Sequence, residues 1–320
     1  MSDYGEPKFE DLVEVKSNEI LSNARETKKC IRRAARQIIL EKSGKRFFED
    51  TYQRNYSSSE LKQRPFLNIG PGSFRHKHWR LADKTYGDSG STWTEMRRGV
   101  SQSKFDHEWD LYDRKPIDIG DNTLCAVYSS HVIEHLFAPD VSFMLSEVNR
   151  ILKSGGVLRL VCPDAALMVE AYDRQDWEYF FFYLSVMTHR AKKPLSKHSE
   201  LELRRMCSVF LLDWVSLVVH PKSPDRFSPN RCMEFIASYP TTYDALDAAG
   251  ALSPRAVNKE VGAHVSWYNY RKLFIILEAT GFVNIRRSGF AQSRLPIMRD
   301  RSYFDRTDCE MSLYVEAEKP

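Results

Sequence analysis

The stretch Pro65-Phe66-Leu67-Asn68-Ile69-Gly70-Pro71-Gly72-Ser73-Phe74 decides the fold. Its apolar run, Phe66 to Ile69, is too short for a helix and suits a strand buried on both faces, as in a parallel sheet covered by helices. Gly70 and Gly72 then allow a tight turn and a close backbone approach to a ligand, because no side chain stands in the way. This is half of a dinucleotide-type fingerprint, without its third glycine.

Downstream, Trp79 to Asp83 reads as a second short strand ending in a carboxylate, and Asp106 to Leu111 as a third that ends at Asp110. Gly87 to Lys104, rich in Gly, Ser and Thr, reads as a surface loop. Leu124 to Ser130 is an apolar strand closing in small polar residues, and His131 to Leu136 follows at once. Asp140 is the expected N-cap of a helix bearing Phe143, Leu145, Val148, Ile151 and Leu152, which Gly155-Gly156 stops. Val157 to Cys162 is the next strand, closed by Pro163-Asp164.

Upstream, apolar residues from Ile20 to Ile38 recur at helical spacing, so Ser17 to Glu41 predicts an amphipathic helix, and Arg46 to Gln63 reads as a polar connector. From Ala165 to about Gly262 aromatic and long aliphatic residues crowd together between basic and proline-bearing loops, as in an inserted helical region. Asn269 caps a further helix, and Phe282 to Arg286 and Met311 to Ala317 complete the strands. The expected segments are a helical cap and connector over 1–64, a cofactor-binding core over 65–164, a helical insertion over 165–262 that roofs the acceptor pocket, and a completion of the core over 263–320. The fold class is α/β.

The 320 residues, 42% of them hydrophobic, are ample for a real core. A formal charge of +4, from 47 basic and 43 acidic residues, is too mild to demand a nucleic acid or a membrane as partner. The acidic, polar start lacks the apolar core of a secretory signal, and no apolar patch is long enough for a membrane span, so a cytoplasmic protein is expected. The six cysteines are scattered without a CxxC, which reads as reduced thiols with no metal site. Oligomeric state is not legible.

In this order and spacing the chain resembles the class I S-adenosylmethionine-dependent methyltransferases of the type 11 subgroup. The resemblance rests on Leu67 to Gly72, on Asp121 to Leu136 with its Ser129-Ser130-His131-Val132-Ile133-Glu134-His135, and on Leu152 to Leu160; it covers roughly Pro65 to Asp164 and His264 to Ala317. It implies a Rossmann-like sheet, mostly parallel with an antiparallel last strand, and S-adenosyl-L-methionine as cofactor. By the same resemblance Gly70 and Gly72 pass under the amino-acid part of the cofactor, Asn68 is a further cofactor-binding position, Asp83 meets the ribose, Asp110 the adenine amino group, and Ser129, Ser130 and His131 the methionine part and the acceptor. Asn68 departs from the acidic residue usual before the first glycine. Asp83 follows Gly70 by only 13 residues, which leaves Asp88 as a rival for the ribose.

Methyl transfer from a sulfonium needs orientation and exclusion of water, and a hydroxyl acceptor must also lose a proton, a task that suits histidine. His264 and His131 are the candidate bases, with Asp164 a third. The expected acceptor is a small hydroxylated molecule, a sugar or glycan unit, methylated at oxygen. An RNA acceptor, motivated by Arg32, Arg33, Arg36, Arg75, Lys77 and Arg80, is an alternative, as is a cofactor-binding protein without turnover. His131-Val132-Ile133-Glu134-His135 also has the H-x-x-E-H spacing of a zinc peptidase helix, a remote alternative that leaves the glycine turn unexplained.

Overall fold

The strand β1 (Phe66–Ile69), all four residues of it buried, sits inside a seven-stranded sheet. The description rests on a computed structural model and covers residues 44, 46–84, 105–183 and 193–320. The chain divides into two units, Met1–Ser57 and Ser58–Pro320. In the first, residues 46–55 are helical; in the second, Ser58–Lys62 is a short helix. The segment expected to be a polar connector is therefore largely helical, its turn-favouring serines notwithstanding. The helix expected over Ser17 to Glu41 and the loop over Gly87 to Lys104 lie outside the described residues.

The sheet order is β3-β2-β1-β4-β5-β7-β6, with β2 (Trp79–Asp83), β3 (His107–Glu108), β4 (Leu124–Ser130), β5 (Leu152–Pro163), β6 (Val283–Arg287) and β7 (Ser312–Glu318). β1 pairs in parallel with β2 and with β4, which sets Ile69 beside Ala82 and Ser129. β7 alone runs antiparallel to its neighbours β5 and β6. The sheet is thus the Rossmann-like, mostly parallel one that the apolar runs predict, with the last strand reversed. The chain leaves β1 toward β2 on one side and returns to β4 on the other, so a crevice opens beyond the carboxyl ends of β1 and β4.

Helix α1 (Ala138–Ile151) turns Val141, Met144, Leu145, Val148 and Ile151 toward the sheet, a helical stripe that explains its docking. Its N-cap is Phe137, with Pro139 in the first turn, and not Asp140. Asp140 instead lies fully buried inside that turn, where it accepts hydrogen bonds from Arg114 Nε at 2.7 Å and from Arg255 at 2.8 Å. Leu152, expected on the helix, already begins β5. At Gly156 a side chain would stand 2.7 Å from the Lys153 carbonyl oxygen, which is why this second glycine is needed where helix passes to strand.

Between β5 and β6 run α2 (Ala165–Asp173), α3 (Trp177–Phe182), α4 (Glu200–Asp213), α5 (Pro229–Ala237), α6 (Thr242–Ala251), α7 (Arg255–Val261) and α8 (Tyr270–Ala279). Tyr172, Trp177, Phe180, Phe210, Leu246 and Trp267 build an apolar core there, distinct from the sheet core around Leu67, Val127, Met144 and Leu158. Five cysteines are free thiols and Cys30 lies outside the described residues. Among the described residues no helix is long and apolar enough to cross a membrane.

One charge stands in the middle of β5. Arg159 is fully buried and donates to Asp305 at 2.6 Å, Glu316 at 3.1 Å, Ser288 Oγ at 3.1 Å and the Gly289 carbonyl at 2.9 Å. Glu316 has Arg286 as a second cation, whereas Asp305 has no ion pair besides Arg159 among the described residues. Arg159→Met is therefore expected to lower the unfolding free energy by about 3–5 kcal/mol, because it strands a buried carboxylate. Urea unfolding measures the loss, and limited proteolysis of the variant is expected to cut first within residues 288–311.

Candidate functional site

At the carboxyl ends of β1, β2 and β4 lies a cavity of about 1350 Å³. Asn68, Gly70, Gly72, Asp83, Asp110, Ser130, His131 and His264 all line it, so the structure gathers eight of the nine residues singled out by sequence. The ninth, Ser129, is buried and does not line it. Side chains alternate along a strand, and the cavity falls to its neighbour Ser130. Asp88 lies outside the described residues.

The glycine turn is built for close approach. Gly70 has φ +66°, and a Cβ there would run into Val132 Cγ2 of the turn that follows β4. That Val132 comes so near is the direct contact between the β1 turn and the β4 turn. Asp83 Oδ1 accepts from the Lys84 amide at 2.9 Å. Asp110, expected to end a strand, stands two residues beyond β3 and caps the turn Leu111–Asp113 by accepting from the Tyr112 amide at 2.9 Å.

The motif after β4 does not form the helix that a zinc peptidase requires. His131 has φ +54°, and only Ile133–His135 make a single 3-10 turn. That turn is clamped by its backbone oxygens: Glu134 O accepts from the amides of Val265 at 2.8 Å and Ser266 at 3.1 Å, Leu136 O from Ser266 Oγ at 2.7 Å, and His135 O from Tyr112 Oη at 2.6 Å and Asn258 at 3.0 Å. These bonds carry His264 to His135, whose rings lie 4.5 Å apart at 65°.

The two candidate bases differ in protonation. Ser312 Oγ donates to the Asp308 carbonyl at 2.8 Å, so it accepts from His131 Nε2 at 2.9 Å. His131 Nδ1 faces Glu134 at 3.2 Å, and a carboxylate only accepts. Both ring nitrogens therefore face groups that can accept a proton, an arrangement that favours the imidazolium form of His131. Burial opposes this charge, but the Glu134 hydrogen bond and charge outweigh it and raise the pKa. For Glu134 burial works upward, yet the hydrogen bond and charge of His131 hold it down at about 2. Burial, then the charge of His264, lowers His135 to about 3. His264 is lowered as well, first by burial. Its Nδ1 lies 3.2 Å from the Trp214 carbonyl, which only accepts, so the neutral ring keeps its lone pair at Nε2.

Asp164 has a structural part: it caps α2 through the Ala166 amide at 3.0 Å and pairs with Arg287 at 2.7 Å. Two of the basic residues behind the RNA alternative are engaged at backbone carbonyls, Arg75 at Gly72 and Arg80 at Gln63. Arg32, Arg33 and Arg36 lie outside the described residues. Sequence reasoning missed the far walls of the cavity. Tyr183, Asp213, Trp214, Arg226 and Phe227 come from the helical region, and Tyr303, Arg306 and Asp308 from the segment between β6 and β7.

Residues 92–160 match the methyltransferase domain family, a span that begins before β3 and ends inside β5. No curated protein was found to match the sequence. Among solved structures, the chain is similar to an S-adenosylmethionine dependent methyltransferase from Mesorhizobium loti (13% identity over 79% of this chain and 90% of that one, TM-score 0.35). It is similar to one from Archaeoglobus fulgidus (12%, 79% and 85%, TM-score 0.33). It is also similar to a possible exported protein from Bordetella parapertussis (12%, 86% and 66%, TM-score 0.33). The chain spans 46–50% of the length of three further methyltransferase structures that it matches. Likenesses this distant assign neither an activity nor a substrate.

The His131–Glu134 pair gives a double-mutant test. His131→Ala leaves a buried carboxylate without its cation and is expected to cost about 3–5 kcal/mol of stability in urea unfolding. In a Glu134→Gln background the same change is expected to cost much less; equal losses in both would show that the two side chains do not act as a pair.

Proposed function

From the premise that residues 92–160 belong to a methyltransferase domain, we propose that this chain is an S-adenosylmethionine-dependent methyltransferase acting on a hydroxyl of a small acceptor, a sugar or glycan unit. The observation that carries the reading is the contact of Gly70 with Val132 at the rim of a cavity lined by Asp83 and Asp110: a side chain at residue 70 would strike Val132 and force apart the two turns that line the cavity. When bound, the cofactor supplies an already activated methyl group, so the protein's share is binding, orientation and exclusion of water.

Gly70 and Gly72 admit the cofactor to the backbone, Asp83 and Asp110 offer carboxylates to its hydroxyl and amino groups, and Asn68 offers a neutral amide where an acidic residue is usual. Removal of the acceptor proton depends on His264, whose neutral ring offers a lone pair at Nε2, whereas the surroundings of His131 favour its protonated form. His131 acts as a positioning residue that ties the turn after β4 to Ser312. The aromatic rings of Tyr183, Trp214 and Phe227, with Asp213 and Arg226 beside them in the lining, support an acceptor that has both C–H faces and hydroxyls.

Calorimetric titration with S-adenosylmethionine and with its demethylated product tests the reading. One saturable site for each is expected, and no binding of either would overturn it. Gly70→Ala is expected to weaken binding of the product by on the order of tenfold or more, about 1.4 kcal/mol. Val132→Ala in that variant is expected to restore only part, since the steric clash goes and the positive φ remains. His264→Ala is expected to leave cofactor affinity intact and to lower turnover by on the order of 10²–10⁴ once an acceptor is identified by transfer of labelled methyl groups.

A further inference from the structure

The H-x-x-E-H spacing drew attention to His131 and His135 as a metal-binding pair, and the structure groups the residues differently. His131 is turned to Ser312 and Glu134, while Glu134, His135 and His264 bring one donor atom each to within 4.8 Å of one another. We propose that Glu134, His135 and His264 bind a divalent transition-metal ion in the wall of the cavity.

Three features of the cluster point to an ion. Glu134 is 1% exposed, and apart from His131 at 3.2 Å neither of its oxygens has a hydrogen-bond partner among the described residues. His131 reaches Oε1 alone, and a cation at Oε2 offsets the cost of leaving that oxygen buried without a partner. Secondly, the imidazoles are oriented from behind by the backbone, His264 by the Trp214 carbonyl and His135 by a hydrogen bond at Ala263. Such outer partners fix the tautomer and direction of a metal-binding ring. Thirdly, the frame is set before any ion arrives, since the Glu134 carbonyl holds the amides of Val265 and Ser266.

Donor type selects the metal. Two imidazoles and one carboxylate suit zinc or a neighbouring first-row ion, in contrast to the all-oxygen shells of magnesium and calcium. Donor atoms around a tetrahedral zinc stand roughly 3.5 Å apart, given metal–ligand distances of about 2.0–2.2 Å, so small side-chain rotations close the cluster. Three protein ligands leave a fourth position, and because His135 and His264 both line the cavity that position faces it. A water or an acceptor hydroxyl fits there; with the ion bound, the His264 lone pair is engaged by the metal, and the greater acidity of a metal-bound hydroxyl takes the place of direct proton removal by His264. Glu134 is not the only carboxylate near the ion's open side, since Asp213 and Asp308 line the same cavity. The occupant of the fourth position rests on the methyltransferase reading; the metal site itself does not.

The test uses the full chain, stripped with a chelator and titrated with Zn²⁺ by calorimetry and with Co²⁺ by visible absorption. Expected are one ion per chain, a Co²⁺ spectrum of nitrogen–oxygen ligation at low coordination number, and a loss of affinity on the order of a hundredfold or more in Glu134→Gln and in His135→Ala. His220→Ala, which alters another cavity histidine outside the cluster, is expected to bind as the parent does. The Co²⁺ spectrum of the unaltered protein keeps the test decisive where a variant does not fold. Absence of saturable Zn²⁺ and Co²⁺ binding, or undiminished binding in a folded Glu134→Gln, overturns the site. Titration of the same samples with the demethylated cofactor separates the two readings: cofactor binding without metal binding removes only the ion, and metal binding without cofactor binding removes only the methyltransferase.

Discussion

A buried guanidinium holds the cavity in shape. Arg159 lies in the sheet interior, where an unpaired charge is intolerable, and its donors are matched by two carboxylates, a hydroxyl and a carbonyl. Three of these partners, Asp305, Ser288 and Gly289, belong to the segment that joins β6 to β7, so satisfying the charge fastens that segment to β5. Asp305 is held again through its amide, which donates to Tyr128 Oη at 2.8 Å. Next to it Phe304 packs on Trp79 and Tyr128, with ring centres 5.1 and 5.0 Å away. Tyr303, Arg306 and Asp308 are thereby laid along the cavity that β1 and β4 open.

The opposite wall is fixed by peptide groups. The turn after β4 satisfies only the carbonyls of Val132 and Ile133 from within, through the His135 and Leu136 amides, and its next carbonyls, of Glu134 and His135, are taken up by Val265, Ser266, Tyr112 and Asn258. Tyr268 continues the same line by bonding through its carbonyl to the Ala165 amide at 2.9 Å. A segment distant in sequence is thus threaded along the ends of β4 and β5, and His264 arrives at the site as a result. Functional side chains held in this way have little freedom to leave the cavity.

The sheet was legible because strands buried on both faces are written as near-continuous apolar runs; β1, β4 and β5 have this form with single polar interruptions such as Asn68 and Arg159, and the turn glycines mark where β1 ends. Of the proposed ligand residues, those at strand ends were legible for the same reason. Where pairing across the fold decides, the pattern misleads. Asp140 has the chemistry of a helix cap, yet Arg114 and Arg255, the latter 115 residues away, draw it into a buried ion pair. Ser129 and Ser130 are equivalent in composition, and only the alternation of the pleat separates them. One signal was present and went unread: Arg159 is a lone charge within Val157-Leu158-Arg159-Leu160-Val161, and a charge in a strand that must be buried demands partners elsewhere in the chain.

The histidines show how far identity is from role. His131, His135 and His264 have the same side chain within one cluster, but Glu134 can neutralise only one of them. His131 takes that place because its second nitrogen also finds an acceptor, in Ser312, and the hydroxyl of Ser312 is committed to carbonyls. Once His131 is charged, further protons on the adjoining rings would place like charges together away from water, which is unfavourable. His135 and His264 are left neutral, each with a backbone acceptor for its N–H. Two of the three rings that line the cavity consequently present lone pairs, and positive charge is confined to the third. On the proposed reading, a cationic sulfonium or an acceptor hydroxyl would meet neutral imidazoles there.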